Sequence, residues 1–171
     1  MDWQIRTISR ASAHTQSPFE EGERIACLVF KVAGAQELGR ADIRESELAE
    51  FTAPGTLLGR WTRIMKPEGI DEAAARRLTM QSAEELFLSL FTNAPEAAPE
   101  GPAERAYRDA LKHLLALMLE RKRVLRPIGR RQRSGEQCYL LIREKREFHV
   151  PVLDLSSEVV LQVQDVLSEL V

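Results

Sequence analysis

ERAYRDALKHLLALMLERKRVLR, residues 104–126, is the longest stretch of this sequence that predicts a single element. Large apolar side chains recur there every three or four residues, as on the buried face of an α-helix, at Tyr107, Leu111, Leu114, Leu115 and Met118. Three more apolar positions widen this stripe: Ala110, Leu117 and Leu119. We therefore expect a helix that is buried on more than one side. The cations Arg121 and Lys122 suit the negative end of the helix dipole, and Pro127 prevents the helix from continuing.

Short strands and a last helix are predicted after this stretch. Residues 124–128 predict a strand that places Pro127 at a sheet edge, and Pro151 favours an edge for the return strand at 148–152. A third strand is expected between them, at 137–142. Ser156 or Ser157 is expected to cap a helix that runs to Leu170 with valines and leucines on its buried face.

The first half of the chain predicts a second set of strands and a helix. Residues 23–33 are apolar at both alternating parities, which predicts a strand that is covered on both faces and central in its sheet. In residues 40–44, Ala41 and Ile43 alternate with charged side chains, which predicts a hairpin partner with one face in water. The remaining expectations are strands at 3–9 and 60–66, a short helix at 45–51, a longer helix at 71–92 and a proline-rich, solvated connector at 93–103.

Together these elements predict an α+β fold. Antiparallel sheets or hairpins are expected to pack against the long helix of residues 104–121, with two further helices at 71–92 and 156–170. A chain of 171 residues is long enough to bury a core without disulfides or metals. We expect one domain over residues 1–171, because the parts on either side of the connector are too small to be independent.

Composition excludes several classes of protein. The net charge of −2 gives no overall reason to expect nucleic acid or an anionic membrane as a partner. Cys27 and Cys138 are too few for a disulfide scaffold, and both are expected to be buried thiols in strands. No secretory signal and no apolar run of membrane-spanning length is visible, so we expect a cytoplasmic protein.

No local motif predicts catalysis, a cofactor or a metal. The sequence lacks a nucleophile elbow, a phosphate-binding glycine loop and a dinucleotide fingerprint. His14, His113 and His149 have no second ligand at zinc-binding spacing, and structural or solvated roles are expected for them. The acidic clusters at 20–23 and 84–85 are expected to be solvated faces rather than acid–base pairs.

The strongest local anomaly is a run of positive charge that begins in the last turn of the long helix. Seven cations and Glu120 give a net charge of +6 across residues 120–133. These seven are the candidate anion-binding or partner-binding residues: Arg121, Lys122, Arg123, Arg126, Arg130, Arg131 and Arg133. Arg143, Lys145 and Arg146 could add to the same patch. The alternative is that the arginines fan out along exposed strand edges and meet surface acids.

The order of these features resembles a group of small bacterial proteins of unknown function. The similarity lies in the strand around Trp3, in PFEEGERIACLVF (18–30), GRADI (39–43), the strand around Trp61, LLALMLERKRVLR (114–126) and FHVPVLDLSSE (148–158). The resemblance implies cysteines near Ala11 and around Arg44 and Glu47, in a possible metal knuckle. This chain has no thiol at those positions, so no metal site is carried over, and the resemblance implies no activity.

From the sequence we expect a non-enzymatic binding or adaptor protein without a cofactor, whose partner is another protein. One alternative is a nucleic-acid or phosphate-binding module that uses the basic run, although Tyr139 and Phe148 are its only nearby aromatic residues. A second alternative is an enzyme with a dispersed site, because catalytic residues need not form local motifs.

Overall fold

The computed structural model describes residues 9–35, 38–66, 69, 71–92 and 101–155 of the chain. Three predictions therefore fall wholly or mostly outside the described residues: the strand at 3–9, the connector at 93–103 and the helix at 156–170. Between those gaps the structure has two antiparallel three-stranded sheets and two α-helices, which confirms the predicted α+β class.

The first sheet is built by β1 (Arg24–Lys31), β2 (Leu38–Arg44) and β3 (Thr56–Ile64) in the order β2-β1-β3. The prediction that residues 23–33 hold a central strand covered on both faces is confirmed. Ile25, Cys27 and Val29 join the main core on one face, and Ala26, Leu28 and Phe30 join a second cluster on the other. Such double coverage explains why neither parity of β1 is polar.

The predicted wet face of β2 is wrong. Arg40 and Asp42 are buried in addition to Ala41 and Ile43. The register places Cys27 between Asp42 of β2 and Trp61 of β3, so the Asp42 carboxylate lies under the main core side of the sheet. The burial of these two charged side chains is tolerated because Arg40 donates two hydrogen bonds to Asp42, of 2.8 and 3.2 Å.

A helix closes the free edge of β3. In α1 (Glu72–Thr92), the hydroxyl of Ser89 accepts the Arg60 N–H, Glu85 accepts the Thr62 N–H, and Ser82 donates to the Thr62 carbonyl. Residues 82, 85 and 89 lie on one helix face, and their side chains satisfy the edge of β3 where a fourth strand would otherwise pair. A glycine permits this approach, since a Cβ on Gly59 would lie 2.8 Å from Leu86 Cδ1.

The long helix predicted at 104–121 is α2 (Pro102–Arg121), and it supports the second sheet. That sheet consists of β4 (Leu125–Pro127), β5 (Gly135–Leu141) and β6 (Arg146–Val152) in the order β4-β5-β6. Its inner face contributes Leu125, Tyr139, Leu141, Phe148 and Val150 to the main core, where they meet Leu111, Leu115 and Leu119 of α2. Burial of leucines along the whole helix confirms the prediction of a broad apolar stripe.

Other boundaries differ modestly from the predictions. A single 3₁₀ turn, Glu45–Glu47, replaces the short helix expected at 45–51, and β3 begins four residues before the strand expected at 60–66. The first sheet packs mainly against α1, not the long helix, although Arg108 of α2 donates to the Leu57 carbonyl at 3.1 Å. Neither described helix has an apolar stretch of the length that a bilayer crossing needs.

Candidate binding surface

Six of the seven candidate cations are exposed and form no ion pair with any described residue. We call these six the basic surface: Arg121, Lys122, Arg123, Arg126, Arg130 and Arg133. The seventh, Arg131, forms an ion pair with Glu120. Its two terminal nitrogens donate to Glu120 at 2.8 and 3.0 Å, and one of them also donates to the Tyr139 hydroxyl.

Local structure separates the basic surface into three parts. Arg121, Lys122 and Arg123 lie where α2 ends, and Arg123 has a φ of 59° in the turn that directs the chain into β4. Arg126 lies in the middle of β4. Arg130 and Arg133 belong to the loop from β4 to β5, which is held by the buried side chain of Gln137: it accepts the Gln132 N–H and donates to the Ile128 carbonyl. The cations therefore follow β4 and the two connections that flank it instead of forming one tight cluster.

The outer face of the second sheet carries one of these cations, Arg126. Alternation along β5 puts Gln137, Tyr139 and Leu141 inside and Cys138 and Leu140 outside. The register aligns Arg126, Leu140 and Glu147 across the three strands on this outer face. Ile128 follows β4 and donates its N–H to the Cys138 carbonyl, and Ile142 follows β5 and is 47% exposed. No described helix or strand packs against this face.

The edges of the second sheet offer little for an added strand. Because Cys138 and Ile142 exchange backbone hydrogen bonds with the β4 side, the alternate residues of β5 point their backbone groups toward β6. The register then leaves Glu147, His149 and Pro151 on the free edge of β6, and Pro151 has no N–H. The same alternation leaves Leu125 and Pro127 on the free edge of β4. Proline and charge at edges are devices that prevent strand addition.

The hairpin between β5 and β6 adds less free charge than the sequence indicates. Arg143 donates to Glu84 of α1 at 2.6 Å and also lies near Glu144. The guanidinium of Arg146 lies 4.9 Å from the ring centroid of Phe148, an exposed cation–π contact. Lys145 is exposed at the tip of the turn.

The aromatic residues near the basic surface are unavailable for stacking. Tyr139 and Phe148 both point into the core on the inner face of the second sheet. Phe148 packs there against Phe87 and Phe91, with ring centroids 5.3 and 5.0 Å away. The outer face is aliphatic, with Ile128, Leu140 and Ile142 partly or largely exposed.

The cysteines and histidines have mainly structural environments. Burial raises the pKa of Cys27 to about 12, and burial and Glu147 raise the pKa of the Cys138 thiol, which lies on the outer face and is only partly buried. His113 accepts the Leu153 N–H through Nδ1 at 2.9 Å, and burial followed by the charge of Arg131 lowers its pKa. His14 and His149 lie within 4.0 Å of single glutamates.

The positions where the resemblance implies cysteines are close together in the fold. Glu47 accepts the Ser12 hydroxyl at 2.6 Å, the Arg44 N–H at 2.9 Å and the Thr15 hydroxyl at 3.0 Å. Burial would raise the pKa of Glu47, but these hydrogen bonds outweigh it and lower the pKa to about 2. Hydrogen bonds therefore join these segments, and the described residues contain no group of three acidic, histidine or cysteine side chains that could hold a metal ion.

A cleft of about 260 Å³ lies between β3 and α1. Three of its polar side chains already bond to one another or to the backbone, since both oxygens of Glu85 accept hydrogen bonds from Thr62 and the Ser82 hydroxyl donates to the Thr62 carbonyl. These groups hold α1 against the sheet edge rather than converging on the open space.

Sequence reasoning missed the apolar part of the surface. Ile128, Leu140 and Ile142 were expected in strands, without any expectation that they face outward. The available signal was that β5 is apolar on both alternating faces, whereas α2, the one long helix that leads directly into this sheet, can cover only one of them. No protein family, no curated protein and no solved structure matches this chain. The resemblance to small bacterial proteins of unknown function therefore remains untested.

Proposed function

We propose that this protein is a non-enzymatic binding protein that recognises an acidic protein partner through the basic surface. The observation that carries the proposal is the set of six exposed cations along β4 and its two flanking connections, none of which forms an ion pair with a described residue, beside a sheet face that no described element covers. We also expect the protein to act in the cytoplasm, an expectation that rests on the sequence.

Pairing elsewhere in the molecule gives this observation its weight. Arg44 donates to Glu23 at 2.6 Å, Arg40 donates to Asp42, and Arg24 donates to Glu45. These three arginines, which support the fold, therefore have acidic partners. Cations that lack such partners repel one another, and the same field attracts and orients an oppositely charged protein.

The surroundings of the basic surface favour a protein over nucleic acid. Single-stranded nucleic acids bind through bases stacked on exposed aromatic side chains, and the two aromatic residues of the second sheet are buried. Protein interfaces instead combine an apolar centre with a polar rim that is rich in arginine. The outer face has that composition.

Binding of two anionic probes tests the proposal. Fluorescence anisotropy would compare a labelled 20-residue polyglutamate with a labelled 20-nucleotide oligothymidylate at about 0.1 M salt. We expect the protein to bind polyglutamate at least tenfold more tightly than the oligonucleotide. Charge reversal in Arg126→Glu with Arg130→Glu should weaken polyglutamate binding at least tenfold.

A control on α1 is Arg76→Glu with Arg77→Glu, which makes the same change in net charge outside the basic surface, although it also breaks the exposed pair of Arg76 with Glu72. If the control weakens binding equally, the attraction belongs to net charge and the proposed surface is wrong. Tighter binding of the oligonucleotide, lost on reversal of Arg126 and Arg130, would instead establish the nucleic-acid alternative.

The inference of a non-enzymatic role has separate support. Three polar side chains of the cleft between β3 and α1, Thr62, Ser82 and Glu85, are occupied by structural hydrogen bonds, and burial holds the Cys27 thiol in its unreactive protonated form. An enzyme with a dispersed site remains the alternative. Turnover that is lost in Glu85→Gln while folding is retained would support that alternative and contradict the proposed role.

A further inference from the structure

The outer face of the second sheet has an apolar centre that the proposed function does not by itself explain. Leu140 and Cys138 of β5 lie between Arg126 and Ile128 on one side and β6 on the other. Ile142 extends this centre, and its 47% exposure is the largest of any large hydrophobic residue in the described part of the chain. An acidic ligand that is held by charge alone would not need contacts with these apolar side chains.

Charge is distributed unevenly across this face. The β4 side carries Arg126 and continues into the loop with Arg130 and Arg133, whereas the β6 side carries Glu147 and His149. In the row of Arg126, Leu140 and Glu147, the sign of the charge reverses from one edge to the other across an apolar residue. A ligand that matches this row is acidic along one flank only and apolar on its underside.

The backbone edges leave the face itself as the place of contact. Pro127 and Pro151 limit strand addition at both edges. Strands of seven residues span roughly 23 Å and three strands span roughly 10 Å, given the usual rise and spacing. A helix of about 15 residues has the same length, and a helix is the element that most commonly covers an open sheet face.

We propose that the outer face binds an acidic amphipathic helix of a partner protein, whose apolar side packs on Ile128, Leu140 and Ile142 while its carboxylates lie over β4 near Arg126. This inference rests on the proposed function and specifies the partner of the same surface. The helix runs along the strands with its acidic flank toward Arg126 and its neutral or basic flank toward Glu147.

Two synthetic helical peptides of about 18 residues test the inference by isothermal titration calorimetry on the full chain. The first has leucines at three- and four-residue spacing and glutamates on one flank, and the second has serines in place of the leucines at the same net charge. We expect the leucine peptide to bind at least tenfold more tightly. Ile142→Ser should remove most of that difference and leave the affinity for the serine peptide unchanged.

Leu48→Ser is the matched control, because Leu48 is partly buried against the opposite face of the first sheet. It should change neither affinity. Equal binding of the two peptides would overturn the inference and leave the proposed function intact, whereas failure of both peptides to bind would overturn the proposed function itself. Glu147→Lys should weaken the binding of a leucine peptide that carries lysines on its second flank. An unchanged affinity for that peptide would contradict the assigned orientation.

The same proteins also test two other possible occupants of the outer face, a second copy of the chain and residues 156–171 of the chain itself. Sedimentation equilibrium of the full chain that shows a dimer, dissociated by Ile142→Ser, would assign the face to a second copy and overturn the inference. A peptide of residues 156–171, which contain Glu158, Asp165 and Glu169, would overturn it in favour of the chain's own segment if it binds more tightly than the leucine peptide.

Discussion

The two sheets of this protein use arginine in opposite ways. In the first sheet, Arg40 and Arg63 are largely buried and both donate to Asp42, whose side chain is 1% exposed. In the second sheet, Arg126 and its neighbours in the basic surface are exposed and have no acidic partner among the described residues. The named arginines of the second sheet are therefore exposed to solvent, whereas Arg40 and Arg63 support the first sheet from inside.

The difference lies in the partners and not in the number of cations. Desolvation makes a buried guanidinium costly unless a carboxylate and further hydrogen bonds compensate for the lost water. Arg63 donates to Asp42 and to the Ser9 carbonyl, and Arg40 lies over the Trp61 ring. Exposed cations have no such cost, so they can remain unpaired until a ligand arrives.

Removal of the Asp42 charge should have the largest effect. In Asp42→Asn, Arg40 and Arg63 keep their buried charges but lose the carboxylate between them, and Arg63 Nε already lacks a hydrogen-bond partner among the described residues. We expect the free energy of unfolding to fall by about 3–5 kcal/mol, the usual cost of breaking a buried ion pair. Urea denaturation followed by circular dichroism measures this change.

The matched control is Glu20→Gln, which neutralises an exposed carboxylate and should change the free energy by less than about 0.5 kcal/mol. A similar small change in Asp42→Asn would show that the buried charges of the first sheet are not supported by Asp42, and the contrast between the sheets would disappear.

The same contrast explains how far the sequence could predict the molecule. Periodicity found α2, the central position of β1 and the prolines at the edges of β4 and β6, because those features depend on local pattern and backbone chemistry. It placed Arg40 and Asp42 in water because charged side chains are usually exposed. Their burial depends on Arg63, which is more than twenty residues away in the chain.

The candidate site was predictable to a similar degree. Charge density along residues 120–133 located the basic surface, yet it could not separate Arg131 from the other six. That distinction arises from the β4–β5 loop, which brings Arg131 to Glu120 and Tyr139. The exposure of Ile142 was equally unpredictable from the sequence, since it depends on which face of the second sheet α2 covers.

Low pH should reduce the free energy of unfolding in a defined range, because Glu47 beside the first sheet loses its charge there. The pKa of Glu47 falls from 4.5 to about 2 on folding, so its contribution is complete above pH 4.5 and is lost as the pH falls toward 2. Such a shift corresponds to about 3 kcal/mol before solvent screening, which reduces it at this partly accessible carboxylate. Glu47→Gln should be less stable than the wild type at pH 7, and the difference should narrow between pH 4.5 and 2 in urea titrations. A constant difference over that range would contradict the role of the ionised carboxylate.

Neutralisation of the basic surface should have the smallest effect on stability, and this result would sharpen the contrast most directly. Arg126→Gln with Arg133→Gln removes two exposed charges without breaking an ion pair, so the free energy of unfolding should change by less than about 0.5 kcal/mol. Arg131→Gln should instead lose about 0.5–1 kcal/mol, because its bidentate pair with Glu120 is partly shielded. Urea denaturation of the three proteins at low and high salt makes the comparison, since the Arg131 effect should shrink as salt screens the pair. If the double variant were the less stable of the two, its arginines would be structural like Arg40 and Arg63, and unpaired cations would no longer distinguish the proposed binding surface.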